Sequence, residues 1–173
     1  MRKFSLAVLL LSACGKGSGN AADSTGVGVA SRTIADEPSA VIDSARGVVL
    51  GIFTGMTADS VKKVLGPPLR EGLDANDSFP NTLLEYPMGS IRIRQQRGVV
   101  EFLCGGDDCR TVDSVGIGDS TDVLLETYGP TPPRGPLDDP EALDYRLGQS
   151  GCNLTFTLAS GRVTSLDLGC AVR

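Results

Sequence analysis

Two stretches of this chain repeat one another 63 residues apart, and that repeat limits the folds open to it. Residues 54–67 read TGMTADSVKKVLGP and residues 117–130 read IGDSTDVLLETYGP. Gly55 then matches Gly118, Thr57 matches Ser120, Asp59 matches Asp122, Val61 matches Leu124, and Gly66-Pro67 matches Gly129-Pro130. The same offset carries Ile91 and Ile93 onto Leu154 and Phe156, Gly98 onto Gly161, and Leu103 onto Leu166. Leu84-Glu85-Tyr86 matches Leu143-Asp144-Tyr145 at an offset of 59, so the second copy has a shorter loop. Apolar matches arise by chance, but hydroxyl, Asp, Gly-Pro and Tyr in one order point to duplication.

Each copy reads as a helix followed by strands. Thr57 and Ser120 are N-cap residues whose oxygens accept from first-turn amides, and Asp59 and Asp122 favour the positive helix end. Val61, Val64 and Leu65 form one apolar face, as do Leu124 and Tyr128. Gly-Pro ends both helices, because Gly takes the left-handed conformation and Pro cannot continue the hydrogen-bond ladder. Strands are expected at about 82–87, 90–96 and 98–104, and at 142–147, 152–159 and 162–169, where apolar and polar residues alternate. Segments 48–53 and 111–117 are candidates for a further strand before each helix. The expected fold class is α+β, two tandem helix-plus-antiparallel-sheet repeats, 47–110 and 111–173, forming one globular unit.

The first residues point outside the cytoplasm. Arg2 and Lys3 precede an apolar run over residues 4–13, too short for a bilayer-spanning helix and suited to a cleavable signal peptide, 1–13. Leu11-Ser12-Ala13-Cys14 resembles the lipobox of bacterial lipoproteins. That resemblance implies cleavage before Cys14, acylation of its sulfur and amine (with palmitate-type chains), and membrane association through the lipid anchor. Residues 14–46 are then the lipidated cysteine and a Gly/Ser/Ala/Asp-rich linker that cannot bury enough apolar surface to order itself. Such a linker reaches roughly 30 Å, and a short helix over 39–45 is one further reading. Gly15 after the cysteine suits sorting to the outer membrane, so the expected location is its periplasmic face if the cell has two membranes.

Four cysteines remain, and an even number in an exported chain reads as a disulfide framework. A hairpin turning at Ser160-Gly161 sets Cys152 opposite Cys170, and Cys104 and Cys109 flank the turn-forming Gly-Gly-Asp-Asp. We therefore expect Cys104–Cys109 and Cys152–Cys170, one bridge per copy. The alternative for the first pair, metal ligation, would need two more soft ligands.

Charge and residue content exclude several functions. Removing residues 1–13 would delete Arg2 and Lys3 and take the net charge from −5 to −7, with no basic cluster for nucleic acid. The chain has no His, which removes Ser-His-Asp and Cys-His catalysis and His-based zinc sites. No nucleotide-binding glycine motif stands in a strand–helix context, and acidic clusters at 74–77, 107–108 and 138–144 lie among turn residues without an EF-hand spacing. The expectation is a non-enzyme with no cofactor and no metal site.

The pattern Gly55-Met56-Thr57, Val61, Leu65-Gly66, Pro67, with Gly118, Ser120, Leu124, Gly129 and Pro130 in the second copy, resembles the SmpA/OmlA (BamE-like) lipoproteins. Its tandem form resembles the β-lactamase inhibitor protein family. The resemblance implies a protein-binding module, with an envelope protein in outer-membrane assembly or maintenance as its partner. Tyr86 and Tyr145, in matching strand positions, and Arg92 and Arg94, on one strand face, are the candidate binding face, since Tyr and Arg are enriched in contacts. Two rival expectations are an envelope enzyme or small-ligand or Ca²⁺-binding protein using the acidic loops, and a structural spacer.

Overall fold

The computed structural model describes residues 40–74, 80–131 and 142–171. Helix α1, Ala58–Leu65, begins where Thr57 Oγ1 accepts from the Ser60 amide, and helix α2, Thr121–Tyr128, begins where Ser120 Oγ accepts from Val123. Both stop at a left-handed glycine, Gly66 with φ 82° and Gly129 with φ 83°, whose N–H returns to Lys62 or Leu125. The caps expected from sequence are therefore the caps present.

The strands are β1 Ala40–Ile42, β2 Val48–Val49, β3 Ile52–Phe53, β4 Arg70–Leu73, β5 Asn81–Tyr86, β6 Gly89–Arg94 and β7 Gly98–Cys104. After α2 follow β8 Ala142–Leu147, β9 Cys152–Ala159 and β10 Arg162–Cys170. Eight of them form one mixed sheet in the order β1-β8-β9-β10-β7-β6-β5-β4, and β2 and β3 form a separate hairpin. β1 runs parallel to β8, and every other neighbouring pair is antiparallel.

This overturns the expected fold class. Of the described residues 49% lie in strands and 16% in helices, so the protein is mostly β with one large mixed sheet, not two tandem helix-plus-sheet repeats. The reason is an edge. Alternation tells which side of a strand is buried, but it does not tell where the backbone groups along a sheet edge find partners. Here β7 pairs with β10, Leu166 opposite Cys104 and Leu168 opposite Phe102, which fuses the two strand sets.

The register puts one apolar row across the sheet: Leu84, Ile91, Phe102, Leu168, Leu154 and Tyr145 are consecutive cross-strand partners and all fully buried. Burying each stabilises by about 1.5–3 kcal/mol. Val61 of α1 and Leu124 and Tyr128 of α2 join that core, and Tyr128 stacks at 5.3 Å on Tyr145 and 5.4 Å on Phe156. Matching backbone clips fasten both helix entrances. Gly55 N–H donates to Val99 O and Val99 N–H to Met56 O; Gly118 N–H donates to Val163 O and Val163 N–H to Asp119 O.

Smaller corrections follow. Residues 40–46, assigned to the linker, enter the fold: β1 joins the sheet, and a 3₁₀ turn over Ser44–Arg46 replaces the helix considered for 39–45. Arg46 holds that turn to α2, its guanidinium 4.4 Å from the Tyr128 ring centre and its Nε donating to Asp113 at 2.7 Å. Residues 48–53 form the β2–β3 hairpin, and 111–117 contribute isolated bridges at Thr111 and Gly116. β4 lies where a loop was expected, because its short, fully exposed sequence REGL carries no alternation. Residues 1–39, including Cys14, and the acidic segments at 75–77 and 138–141 lie outside the described residues.

Two glycines beside the backbone clips separate backbone strain from crowding. Gly98 and Gly118 both have positive φ, 73° and 87°. A Cβ at Gly98 would stand 2.2 Å from the Gly55 carbonyl oxygen, whereas at Gly118 it would meet nothing within 4 Å. Gly118→Ala should cost about 1–2 kcal/mol and Gly98→Ala about 3–5 kcal/mol, read as the difference in urea midpoints. Equal losses would show that crowding at the clip is relieved by relaxation.

Candidate functional site

The face opposite the helices carries a different row. Leu83, Arg92, Glu101, Gly169, Asn153 and Arg146 are consecutive cross-strand partners. A second row alongside runs Asp144, Thr155, Asp167, Leu103, Ser90 and Glu85. Strand alternation compels this: Ile91 and Ile93 face the core, so Arg92 faces away; Leu166 and Leu168 do likewise for Asp167.

At the centre Gly169 supplies no side chain, and a hollow of about 300 Å³ opens there, lined by Arg92, Glu101, Asn153, Thr155 and Asp167. Arg92 organises it. Its Nε donates to Asp74 Oδ2 at 2.7 Å and its Nη1 to Glu101. Asp167 is pushed up to about 6, chiefly by burial, further by Glu101, with Arg92 pulling the other way. Its Oδ1, closed off from solvent, meets no hydrogen-bond donor among the described residues. A second hollow of about 550 Å³ lies on the same side between Glu85, Met88, Ser90, Leu103 and Ser165. Leu103 is 44% exposed there and gives the polar face an apolar spot.

The four residues expected to make a binding face are not brought together. Tyr86 and Tyr145 are buried, 6% and 0% exposed. Their hydroxyls donate to the Gly66 and Gly129 carbonyls, at 3.2 and 2.9 Å, so each tyrosine ties a sheet strand to the end of its helix. Burial raises both phenols above their usual value. Arg94 is 9% exposed and donates to Asn81 Oδ1 at 3.2 Å. Arg92 alone stands in the open-face hollow. Sequence reasoning missed Asp167, Glu101 and Gly169, although the alternation in SLDLG already puts Asp167 and Gly169 on the face away from the leucines.

Both expected disulfides are present. Cys104–Cys109 closes the Gly-Gly-Asp-Asp turn with Cα atoms 5.9 Å apart, and Cys152–Cys170 joins directly opposite residues of β9 and β10. They are compatible with an exported protein. Among the described residues no helix is long and apolar enough to cross a membrane.

No protein-family pattern and no curated protein matches this chain. Among solved structures it is similar to a DUF4309 family protein (YjgB) from Bacillus subtilis, with 16% identity and a TM-score of 0.36, over 66% of this chain and 78% of that one. That likeness is too distant to add to the geometry, and it lends nothing to the lipobox or to the SmpA/OmlA and inhibitor-protein resemblances.

The raised Asp167 carboxyl has a stability consequence with a definite sign. The native state holds that proton more tightly than the unfolded chain, so this group favours folding at acid pH and disfavours it as pH rises through about 6. Replacement by Asn removes the penalty. Asp167→Asn should stabilise the protein at pH 7.5 by about 1 kcal/mol, after allowance for solvent screening of a partly exposed group, and gain little at pH 4. Denaturant unfolding at both pH values checks this; equal effects at both would refute the shift.

Proposed function

We propose that this chain is an exported lipoprotein, acylated at Cys14 and held at a membrane by that lipid, whose folded domain binds another envelope protein without catalysing a reaction. The observation that carries the binding role is the asymmetry of the sheet. One face is buried beneath α1, α2 and the core, while the other presents charged and polar side chains, a glycine-floored hollow and the exposed Leu103. A polar recess with an arginine in its wall and an exposed leucine beside it suits a protein contact surface. The paired disulfides agree with an oxidising compartment. The basic start, the apolar run and Leu-Ser-Ala-Cys support the anchor. An outer-membrane location, facing the periplasm in a two-membrane cell, is the finer form of this proposal.

Two variants of the full chain test it. Cys14→Ser should move the protein from the membrane to the soluble fraction, because no other feature proposed here holds it to lipid. Asn153→Arg places a bulky side chain at an exposed position on the open face. It should leave the melting temperature unchanged and reduce recovery of a cross-linked envelope partner at least roughly tenfold. Full membrane retention by Cys14→Ser defeats the anchor; equal partner recovery by Asn153→Arg defeats the face.

A further inference from the structure

One edge of the eight-stranded sheet is β1, three residues long, and the other is β4, in which every residue is exposed. The hydrogen-bond direction along β4 follows from its register. Asp74 N–H donates to Asn81 O at 2.9 Å, and the pairing continues without a shift through Leu73–Thr82, Gly72–Leu83, Glu71–Leu84 and Arg70–Glu85. Inward-bonded residues alternate in an antiparallel ladder. Gly72 and Arg70 therefore bond toward β5, while Glu71 and Leu73 turn their N–H and C=O groups to the outside. Among the described residues no strand lies on that side. A row of outward amide groups is a template for an extended backbone and for nothing else of comparable fit.

The side chains specify which backbone. Antiparallel pairing of β4 with another β4 about a two-fold axis through Gly72 uses both outward residues: Glu71 bonds reciprocally with Leu73 of the second copy, and Leu73 with its Glu71. The same register places Arg70 opposite Asp74 of the other copy on the open face, twice over; that carboxylate already accepts from Arg92 of its own chain at 2.7 Å, so Arg70 would add a second cation beside it. Arg70 is available for this, its side chain 79% exposed and its contact with Glu85 a loose 3.4 Å. Leu73, 78% exposed, would lie against the other copy's Glu71, which Lys62 holds at 2.7 Å. Opposite charges directly across strands stabilise a pair, and like charges oppose it. Moving the register two residues either way sets Glu71 against Glu71 or Leu73 against Leu73 at the axis, and neither puts Arg70 opposite Asp74. Isologous two-fold contacts are also the commonest way in which identical chains associate.

We infer that two copies of this chain pair through their β4 edges, in the register that sets Gly72 on the two-fold axis, so that the two sheets become one. The surface belongs to the sheet edge and leaves the hollow at Gly169 uncovered, so it stands independently of any partner bound there.

The test uses the full-length chain in mild detergent, with mass measured by sedimentation equilibrium over roughly 1–100 µM. The expected result is a concentration-dependent dimer. Leu73→Pro deletes an N–H that points outward, a loss an edge strand tolerates, and Arg70→Glu sets carboxylate against carboxylate. Each should raise the dimer dissociation constant at least roughly tenfold. Circular dichroism confirms folding, and Arg70→Glu, a surface change, keeps the test decisive if the proline variant unfolds. Gly72→Cys reports the register. A Cβ there meets nothing within 4 Å, and facing Cα atoms at such a position are about 4.5 Å apart, within disulfide reach. Mild oxidation should link two copies of that variant. A chain monomeric throughout, a dimer that Arg70→Glu does not weaken, or a Gly72→Cys chain that stays unlinked would each overturn the inference.

Discussion

The ladder between β7 and β10 holds this structure together. Each strand belongs to its own hairpin, β6–β7 and β9–β10, and each hairpin alone would leave a long edge of unpaired backbone in the middle of the molecule. Joined, they carry the apolar row from Leu84 to Tyr145 without a break, and one core can then lie under both helices. The polar row on the other face is the same ladder seen from behind. Arg92, Glu101 and Gly169 become neighbours only because β6, β7 and β10 are in register.

Internal correspondence persists inside this single sheet, at the level of fastenings. The two helix entrances use the same reciprocal amide clip, the two helix exits the same left-handed glycine, and each exit carbonyl receives a tyrosine hydroxyl from a strand of its own half. These are hydrogen bonds in places where orphan backbone groups would otherwise be shut off from water. The two sides are not equivalent. β1 adds a parallel strand beside β8, and Arg46 reaches across to the Tyr128 ring, while β4 completes the opposite edge as an antiparallel strand tied to α1 by the ion pair Lys62–Glu71.

Local features were legible in the sequence to the extent that local chemistry decides them. Helix caps, Gly-Pro stops, the main strands and the Cys104–Cys109 bridge follow from residues within a few positions of one another, and Cys152–Cys170 follows from the register of one hairpin. What escaped depends on distant pairing. No periodicity announces that β10 will lie beside β7, that Ala40–Ile42 will join β8 in parallel, or that REGL will become a strand by pairing with β5. The site was half visible for the same reason. Tyr86 and Tyr145 make the same kind of bond to a helix-end carbonyl, but an aromatic with a hydroxyl suits an interface and a helix-end clamp equally, and only burial separates the two. Arg92 was visible through alternation; its companions Glu101 and Asp167 lie on other strands, and their meeting is a matter of register.

The position of β10 also governs how the chain reaches its native state. It is the last strand in chain order and occupies the middle of the sheet, pairing at Leu166 with Cys104, 62 residues earlier. Contacts of such sequence separation are slow to form, because a long loop must be closed before they reward it. A nascent chain lacking its final strand therefore has no finished half to rest on. Closure of the sheet is deferred until β10 has been made, and the last step of folding is the insertion of a strand between two others rather than its addition at an edge.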